Sequence, residues 1–364
     1  MAKINLAVII GGKSPEHAIS LRSGKSVIQA LDKEKYNITV IGIAKDGKWY
    51  LQKNDDFLLY AEDNKLISLK PSDKRVFLDS DGKKANLYNR KNNKKIQKID
   101  VAFPVLHGAY GEDGIIQGLF RSVNLAFVGV DLMSSAIGMD KDISKRLWRD
   151  AGIPIAAFEI IDHSNKTKIK YESLVKKLGL PMFVKPANAG SSVGVHKVSN
   201  KEEFKTAVKD ALQYDRKLLV EEAIVGIEVE CAILGNEKPK PSVIGGIVPT
   251  DKFYSYDAKY ISNSGAKLMI PAEIKAKTSK YIQETAVKAY KCIGAEGLSR
   301  VDFFLKQDDS IVLNEINTLP GFTNISMYPK LWEASGLSYS TLLDELISLG
   351  IDRHKTVSKL KMVW

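Results

Sequence analysis

The chain has 364 residues, of which 44% are hydrophobic and 27% charged, and its formal net charge is +11. These proportions are those of an ordinary globular protein of two or three domains, and no apolar run approaches the roughly 20 residues that a membrane helix needs. The densest basic run, 90–95, has no aromatic residues among its lysines, which favours a solvated surface that attracts anionic substrates over a nucleic-acid interface.

The first part of the chain alternates between apolar runs and helical patterns, which predicts a parallel α/β sheet. Ser14 is expected to cap a helix that runs to about Leu31. Segment 44–98 is polar and insertion-like. Because open α/β sheets bind ligands at the carboxyl ends of their strands, Glu16 and His107 are candidate binding residues. Strands are predicted at 3–10, 36–43 and 101–106.

The middle of the chain has features typical of a phosphate site. Lys185 ends a buried strand, where a cation needs an anionic partner. The loop 189–194, Ala-Gly-Ser-Ser-Val-Gly, has small residues that expose backbone N–H groups to phosphate oxygens. The other elements expected here are helices at 140–150 and 171–178, a helix opened by a capping box at 200–203, and strands at 155–161, 181–185 and 217–223.

A hairpin near the carboxyl terminus has the strongest chemical pattern. If the turn pairs residue 307 with 310, Asp302 lies opposite Glu315 and Arg300 lies opposite Asn317, and all four side chains share one face. Facing carboxylates repel each other, so a cation between them would stabilise the arrangement. Two carboxylates and an amide oxygen suit Mg²⁺. A solvated hairpin face is the alternative interpretation.

The cysteines and the remaining segments add less. Cys231 and Cys292 lie in apolar contexts without a Cys-x-x-Cys pair, so we expect reduced thiols in the cytoplasm. Helices are predicted near 278–292 and 338–349. Gly321, in a Pro-Gly turn after the hairpin, could let a backbone N–H approach a reacting group closely.

Together these motifs resemble the D-alanine–D-alanine ligases of the ATP-grasp superfamily over nearly the whole chain. The resemblance implies a three-domain α/β and α+β fold in which two β-rich modules clamp ATP. The implied domains are an N-terminal α/β substrate domain at 1–130, a central domain at 131–222, and a C-terminal domain with the metal and second-substrate sites at 223–364. The motifs are GGKSPEH (11–17), VLHGAYGEDG (105–114), MDK (139–141), FVKP (183–186), GSSVG (190–194), FYSYDAKY (253–260) and the segment 300–321.

The resemblance also implies roles for single residues. Two Mg²⁺ or Mn²⁺ ions would be held by Asp302, Glu315 and Asn317. Hydrogen bonds to Glu16 that close the site would come from Ser191 and Tyr260. The two D-alanine molecules and the oxyanion would be bound by Glu16, His107, Arg300, Gly321, Ser326 and Met327. ATP would be bound by Lys141, Lys185, Ser192, Glu221, Glu222, Ile224, Glu228, Lys259 and Asn314.

The implied activity is ATP-dependent ligation of two D-alanine molecules through an acyl phosphate, for peptidoglycan synthesis, by a cytoplasmic homodimer without nucleic-acid or membrane partners. Joining of D-alanine to D-serine or D-lactate is the nearer alternative, and Tyr260 argues against the lactate version. A non-catalytic nucleotide- or nucleic-acid-binding protein is the other, and the intact metal set argues against it. Ala18 departs from the family pattern, in which an acidic residue is usual.

Overall fold

The computed structural model describes residues 2–63, 66–162, 164–166, 169–249 and 266–361. Its first sheet contains the strands that precede Glu16 and His107 and position these two residues. The elements up to residue 139 are β1 (Ile4–Gly11), α1 (His17–Ala30), β2 (Tyr36–Ile43), β3 (Trp49–Leu51), β4 (Leu58–Leu59), β5 (Ser68–Leu69), β6 (Val76–Ser80), β7 (Ala85–Asn89), β8 (Lys95–Lys98), β9 (Val101–Val105), α2 (Ile115–Ser122), β10 (Ala126–Phe127) and α3 (Leu132–Met139).

Five of these strands form the first sheet in the order β10-β9-β1-β2-β3. β1 pairs in parallel with β2 and β9, and β9 with β10, so the predicted parallel α/β sheet is confirmed. Only β3 is antiparallel to its neighbour. The continuous apolar run of β1 fits a central parallel strand that is covered on both faces.

One expectation for this region needs correction. Helix α1 begins at His17 with Glu16 at the N-cap, not at Pro15. Ser14 still serves the helix start, because its Oγ accepts from the N–H of Glu16 at 3.0 Å. Within the insertion at 44–98, β6, β7 and β8 form an antiparallel sheet of their own.

The second sheet is antiparallel, with the order β11-β14-β12-β13. The predicted capping box is confirmed, because the side chain of Asn200 accepts from the N–H groups of Glu202 and Glu203. The elements of this part are α4 (Lys141–Asp150), β11 (Phe158–Asp162), α5 (Tyr171–Leu178), β12 (Met182–Pro186), β13 (His196–Val198), α6 (Lys201–Ala211) and β14 (Lys217–Glu222).

The third sheet is antiparallel with the order β17-β16-β15-β18-β19, and its last two strands are the carboxylate hairpin. The elements of this part are β15 (Ile227–Gly235), β16 (Lys240–Pro249), β17 (Ala266–Met269), α7 (Ala276–Cys292), β18 (Gly297–Leu305), β19 (Ile311–Asn317), α8 (Met327–Ala334) and α9 (Tyr339–Val357).

The carboxyl-terminal helices join the third sheet to the first. Tyr328 of α8 and Leu346 of α9 belong to the same buried cluster as Leu6 and Phe103 of the first sheet. The buried guanidinium of Arg353 in α9 donates to the carbonyl oxygen of Phe127 at 2.9 Å, which ties α9 to β10. This packing places the segment after β19 against the carboxyl ends of β1 and β9. In the described part of the chain, no helix is long and apolar enough to cross a membrane.

Candidate active site

The hairpin of β18 and β19 brings its four polar side chains together as predicted. Arg300 pairs with Asn317, and Asp302 pairs with Glu315. Closer to the turn the register shifts by one residue, so that Phe303 faces Leu313 and not Asn314. The predicted pairing at the turn was therefore wrong. A bulge at Asn314 compensates for the shift, so that Asp302 still lies opposite Glu315. Bulges are common beside active sites because they redirect side chains.

Two carboxylates fix the guanidinium of Arg300. Its Nε and Nη2 donate to the two oxygens of Asp302 at 2.8 and 2.7 Å. Oε2 of Glu230, on β15, lies 2.9 Å from the same Nε. Glu230 is buried and directly opposite Asp302 across the β15–β18 pair. Glu230 was not among the residues predicted from the sequence, although alternation along β15 places Glu228 and Glu230 on one face.

The candidate metal ligands have oxygen donors that fit a hard cation. Nδ2 of Asn317 donates to Asp302 at 2.8 Å, so its carbonyl oxygen is the atom that could bind a metal. Glu315 lies 3.5 Å from Nζ of Lys141. Within the described residues, no group of three His, Cys, Asp or Glu side chains could hold an ion, so the set depends on Asn317 as its third ligand.

The glycine-rich loop meets Glu16 directly. Oγ of Ser191 donates to Oε1 of Glu16, which is the contact expected between these two residues. Ser191 and Ser192 both have positive φ angles, of 50° and 59°. Gly108 also lies against this carboxylate, and a Cβ there would come within 2.4 Å of Oε2 of Glu16. The carboxylate is therefore enclosed by backbone from two loops.

His107 lies beneath the loop that follows β19. Its Nδ1 is 3.1 Å from the carbonyl oxygen of Leu319 and its Nε2 is 3.0 Å from Oγ of Ser23. A carbonyl can only accept, so the neutral ring has its proton on Nδ1 and accepts from Ser23. Burial lowers the pKa of His107 to about 4. Ser23 in turn accepts from the N–H of Phe322 at 3.3 Å, so the ring positions the 319–322 segment.

Glu112 is a second acidic residue of the site that was not predicted from the sequence. Its Oε1 accepts from the N–H of Gly108 at 3.1 Å. Burial raises the pKa of Glu112 well above its usual value, and the negative charges of Glu16 and Glu315 raise it further. Glu112 lies in the VLHGAYGEDG motif, in which only His107 was a candidate site residue.

The turn after the hairpin places Gly321 beside Ser326, the N-cap residue of α8. A Cβ on Gly321 would lie 2.8 Å from Oγ of Ser326, so this close approach requires glycine. Oγ of Ser326 accepts from the N–H of Thr323 at 3.0 Å, which fixes the hydroxyl at the start of α8. Met327 is the first residue of that helix and is buried.

Several of the expected nucleotide residues lie on β12, on β14, on the segment after β14 and at the start of β15. Glu221 contacts Lys185, with Oε2 and Nζ 2.5 Å apart. Oε1 of Glu222 accepts from the N–H of Ala157 at 2.8 Å. Ile224 and Glu228 are half-buried. Lys141 donates to the carbonyl oxygen of Ala189, at the start of the glycine-rich loop, at 2.7 Å.

Two expected residues, Lys259 and Tyr260, lie outside the described residues. So does most of the loop 251–268 that was expected to cover the site.

The chain is similar to known proteins over nearly its whole length. A family model described as the D-ala D-ala ligase N-terminus matches residues 5–130, and one described as the D-ala D-ala ligase C-terminus matches residues 147–348. A D-alanine–D-alanine ligase from Oceanobacillus iheyensis is 50% identical over 359 residues, which are 99% of this chain and 98% of that protein.

Two solved structures have the same fold. The D-alanine–D-alanine ligase from Coxiella burnetii has a TM-score of 0.85 and 36% identity, covering 99% of this chain and 97% of that one. The VanG D-Ala:D-Ser ligase from Enterococcus faecalis has a TM-score of 0.82 and 36% identity, covering 96% of this chain and 100% of that one. The fold is that of the ATP-grasp ligases, and the chain belongs to the D-alanine–D-alanine ligase family.

Proposed function

We propose that the protein joins two molecules of D-alanine into D-alanyl-D-alanine, with conversion of ATP to ADP and phosphate, for the synthesis of peptidoglycan precursors. The observation that carries this proposal is the hydrogen bond from Ser191 to Glu16. It joins the loop suited to phosphate to an acid suited to an amino group. A reaction between a nucleotide phosphate and a bound amino acid needs these two sites side by side.

The first step is attack by the carboxylate of one D-alanine on the γ-phosphorus of ATP, which releases ADP and forms an acyl phosphate. Glu16 binds the ammonium group of this D-alanine. Lys141 and Lys185, with the N–H groups and hydroxyl near Ser192, neutralise and orient the phosphates. Positioning and charge neutralisation are the main means of catalysis in phosphoryl transfer. The adenosine part would lie against Glu221, Glu222, Ile224 and Glu228, with Lys259 and Asn314 near the phosphates.

In the second step the amine of another D-alanine attacks the acyl carbonyl, and the tetrahedral intermediate expels phosphate. Arg300 and the N–H of Gly321 stabilise the oxyanion. Ser326 and the N–H of Met327 bind the carboxylate of the second D-alanine. His107 acts indirectly, because both of its ring nitrogens contact protein atoms that hold the 319–322 segment. Ser191 and Tyr260 would hold Glu16 and the closed loop in place.

Asp302, Glu315 and Asn317 would hold two Mg²⁺ or Mn²⁺ ions. Such ions neutralise phosphate charge when bound. The ion pairs of Arg300 with Asp302 and of Lys141 with Glu315 orient these carboxylates. The division into domains at 1–130, 131–222 and 223–364, the homodimer and the cytoplasmic location are part of the same proposal.

The test is phosphate release from ATP, with identification of the product by mass spectrometry. We expect release with D-alanine alone and none without an amino acid. Comparison of D-alanine alone with D-alanine plus D-serine or D-lactate examines the alternative second substrates, since one related structure is a D-Ala:D-Ser ligase. Mixed product in preference to D-alanyl-D-alanine, or no D-alanine-dependent release, would contradict the proposal.

A further inference from the structure

A buried cluster of three charged side chains lies behind the candidate phosphate site. Lys145 of α4 and Lys185 of β12 both contact Glu221 of β14. Nζ of Lys145 is 2.5 Å from Oε1, and Nζ of Lys185 is 2.5 Å from Oε2. Lys145 is completely buried, and it is not one of the residues that were expected to bind ATP.

The cluster has two positive charges and one negative charge. An ion pair that only stabilises the fold needs one lysine, and a second buried ammonium group adds a desolvation cost that nothing in the pair offsets. Burial lowers the pKa of Lys145, while Glu221 opposes this effect. At Glu221 the two ammonium groups outweigh burial, and its pKa is lowered. The contacts with the two lysines thus favour the charged form of Glu221, and with both lysines protonated the three side chains have one net positive charge.

The two lysines differ in their access to a ligand. The side chain of Lys145 is 1% exposed, and that of Lys185 is 10% exposed. Lys145 therefore cannot reach a bound nucleotide, whereas Lys185 lies at the end of β12, where the chain leads into the glycine-rich loop. An anion that compensates the excess charge would approach from the side of Lys185.

We propose that Lys145 is a positioning residue of the nucleotide site, which neutralises Glu221 and so leaves the charge of Lys185 available to the phosphate groups. In the absence of Lys145, the side chains of Glu221 and Lys185 would form a neutral ion pair, and the charge of Lys185 would no longer be available to a ligand. This inference rests on the proposed function for the identity of the anion, a nucleotide triphosphate.

The experiment measures binding of ATP and of adenosine to the full-length protein without D-alanine, by displacement of a fluorescent ATP analogue. In Lys145→Met and Lys145→Gln we expect ATP affinity to fall by about tenfold or more, because one unit charge is lost near the phosphates in a poorly solvated site. Adenosine affinity should stay within about twofold of the unaltered protein, because adenosine has no phosphate charge. Arg146→Met, which removes an exposed positive charge from the next position of α4, is the matched control and should leave both affinities unchanged.

The double variant Lys145→Met, Glu221→Gln gives the sharpest result. It also removes the carboxylate that would neutralise Lys185, so the ratio of ATP affinity to adenosine affinity should recover to within about threefold of its value in the unaltered protein, while loss of the Glu221 contact with the adenosine part weakens both ligands alike. An unchanged ATP affinity in the single variants, an equal loss for adenosine, or no recovery in the double variant would overturn the proposal. Melting temperatures measured on each variant exclude misfolded protein. Failure of the proposed function would instead appear as absent D-alanine-dependent phosphate release in the unaltered protein.

Discussion

Arg300 and Glu230 form an ion pair across β15 and β18, with Nε and Oε2 2.9 Å apart. Together with the two hydrogen bonds to Asp302, this pair orients the guanidinium before any substrate binds. An oxyanion donor that is already oriented costs no reorganisation during the reaction. Arg300 is therefore held by Asp302 on β18 and by Glu230 on β15. Of these two partners, Glu230 was not predicted from the sequence.

Arg300→Lys retains the positive charge but loses the planar fork. We expect turnover to fall by ~10²-fold, the usual loss for one oxyanion donor, with near-normal ATP affinity. Melting temperature should fall slightly, because lysine cannot satisfy Asp302 and Glu230 together. Turnover per folded molecule and the affinity of a tetrahedral phosphinate mimic are the measurements. If turnover only follows the folded fraction, and mimic and D-alanine weaken equally, Arg300 has no oxyanion role.

Glu315→Gln should nearly abolish turnover, because it removes half of the paired carboxylate charge while preserving the shape of the side chain. ATP binding should weaken less than turnover falls. The measurement is the rate at saturating Mg²⁺, with ATP affinity determined separately. Retention of more than about a tenth of the original rate, a barrier change of only ~1.4 kcal/mol, would remove Glu315 from the metal set.

Ser191→Ala removes the donor to Oε1 of Glu16. A hydrogen bond to a charged group contributes about 1.5–3 kcal/mol, so KM for the first D-alanine should rise by about tenfold or more. ATP hydrolysis without dipeptide should also increase, because the carboxylate is less well fixed. The control is the same substitution in a Glu16→Gln background. There the additional effect should be small, and a full additional loss would show that Ser191 acts independently of Glu16.

His107→Gln tests the buried neutral imidazole. Its folded pKa of about 4 lies below the unfolded value of about 6.5, so the unfolded state binds more protons between these two values. Stability from this group is therefore complete above about pH 6.5 and is lost as the pH falls towards 4, by at most ~3 kcal/mol. Denaturant unfolding from pH 7 to 4.5 should show a smaller pH-dependent loss in the variant than in the unaltered protein. Equal slopes would indicate that His107 titrates normally.

Sequence periodicity was sufficient for most of the fold. The apolar runs of β1, β2 and β9 and the capping box at Asn200 depend on local chemistry, and the structure has them where they were expected. The start of α1 was misplaced by two residues, because Ser14 and Glu16 are both good residues for a helix start and only the backbone geometry distinguishes them.

The hairpin of β18 and β19 was likewise predicted correctly in one respect and wrongly in another. Alternation along β18 and β19 was enough to place Asp302 opposite Glu315, but it could not locate the bulge at Asn314. A one-residue bulge depends on the competition between turn geometry and packing of the whole sheet.

The fold class, the family and the residue types of the site follow from local patterns and from motifs that remain contiguous along the chain. The contacts of Glu230 with Arg300, of His107 with the segment after β19, and of Lys145 and Lys185 with Glu221 became visible only in the folded chain. Each of these contacts joins residues that are 36 to 212 positions apart along the chain. Such contacts depend on which strands and helices pack together, and chain spacing does not encode that.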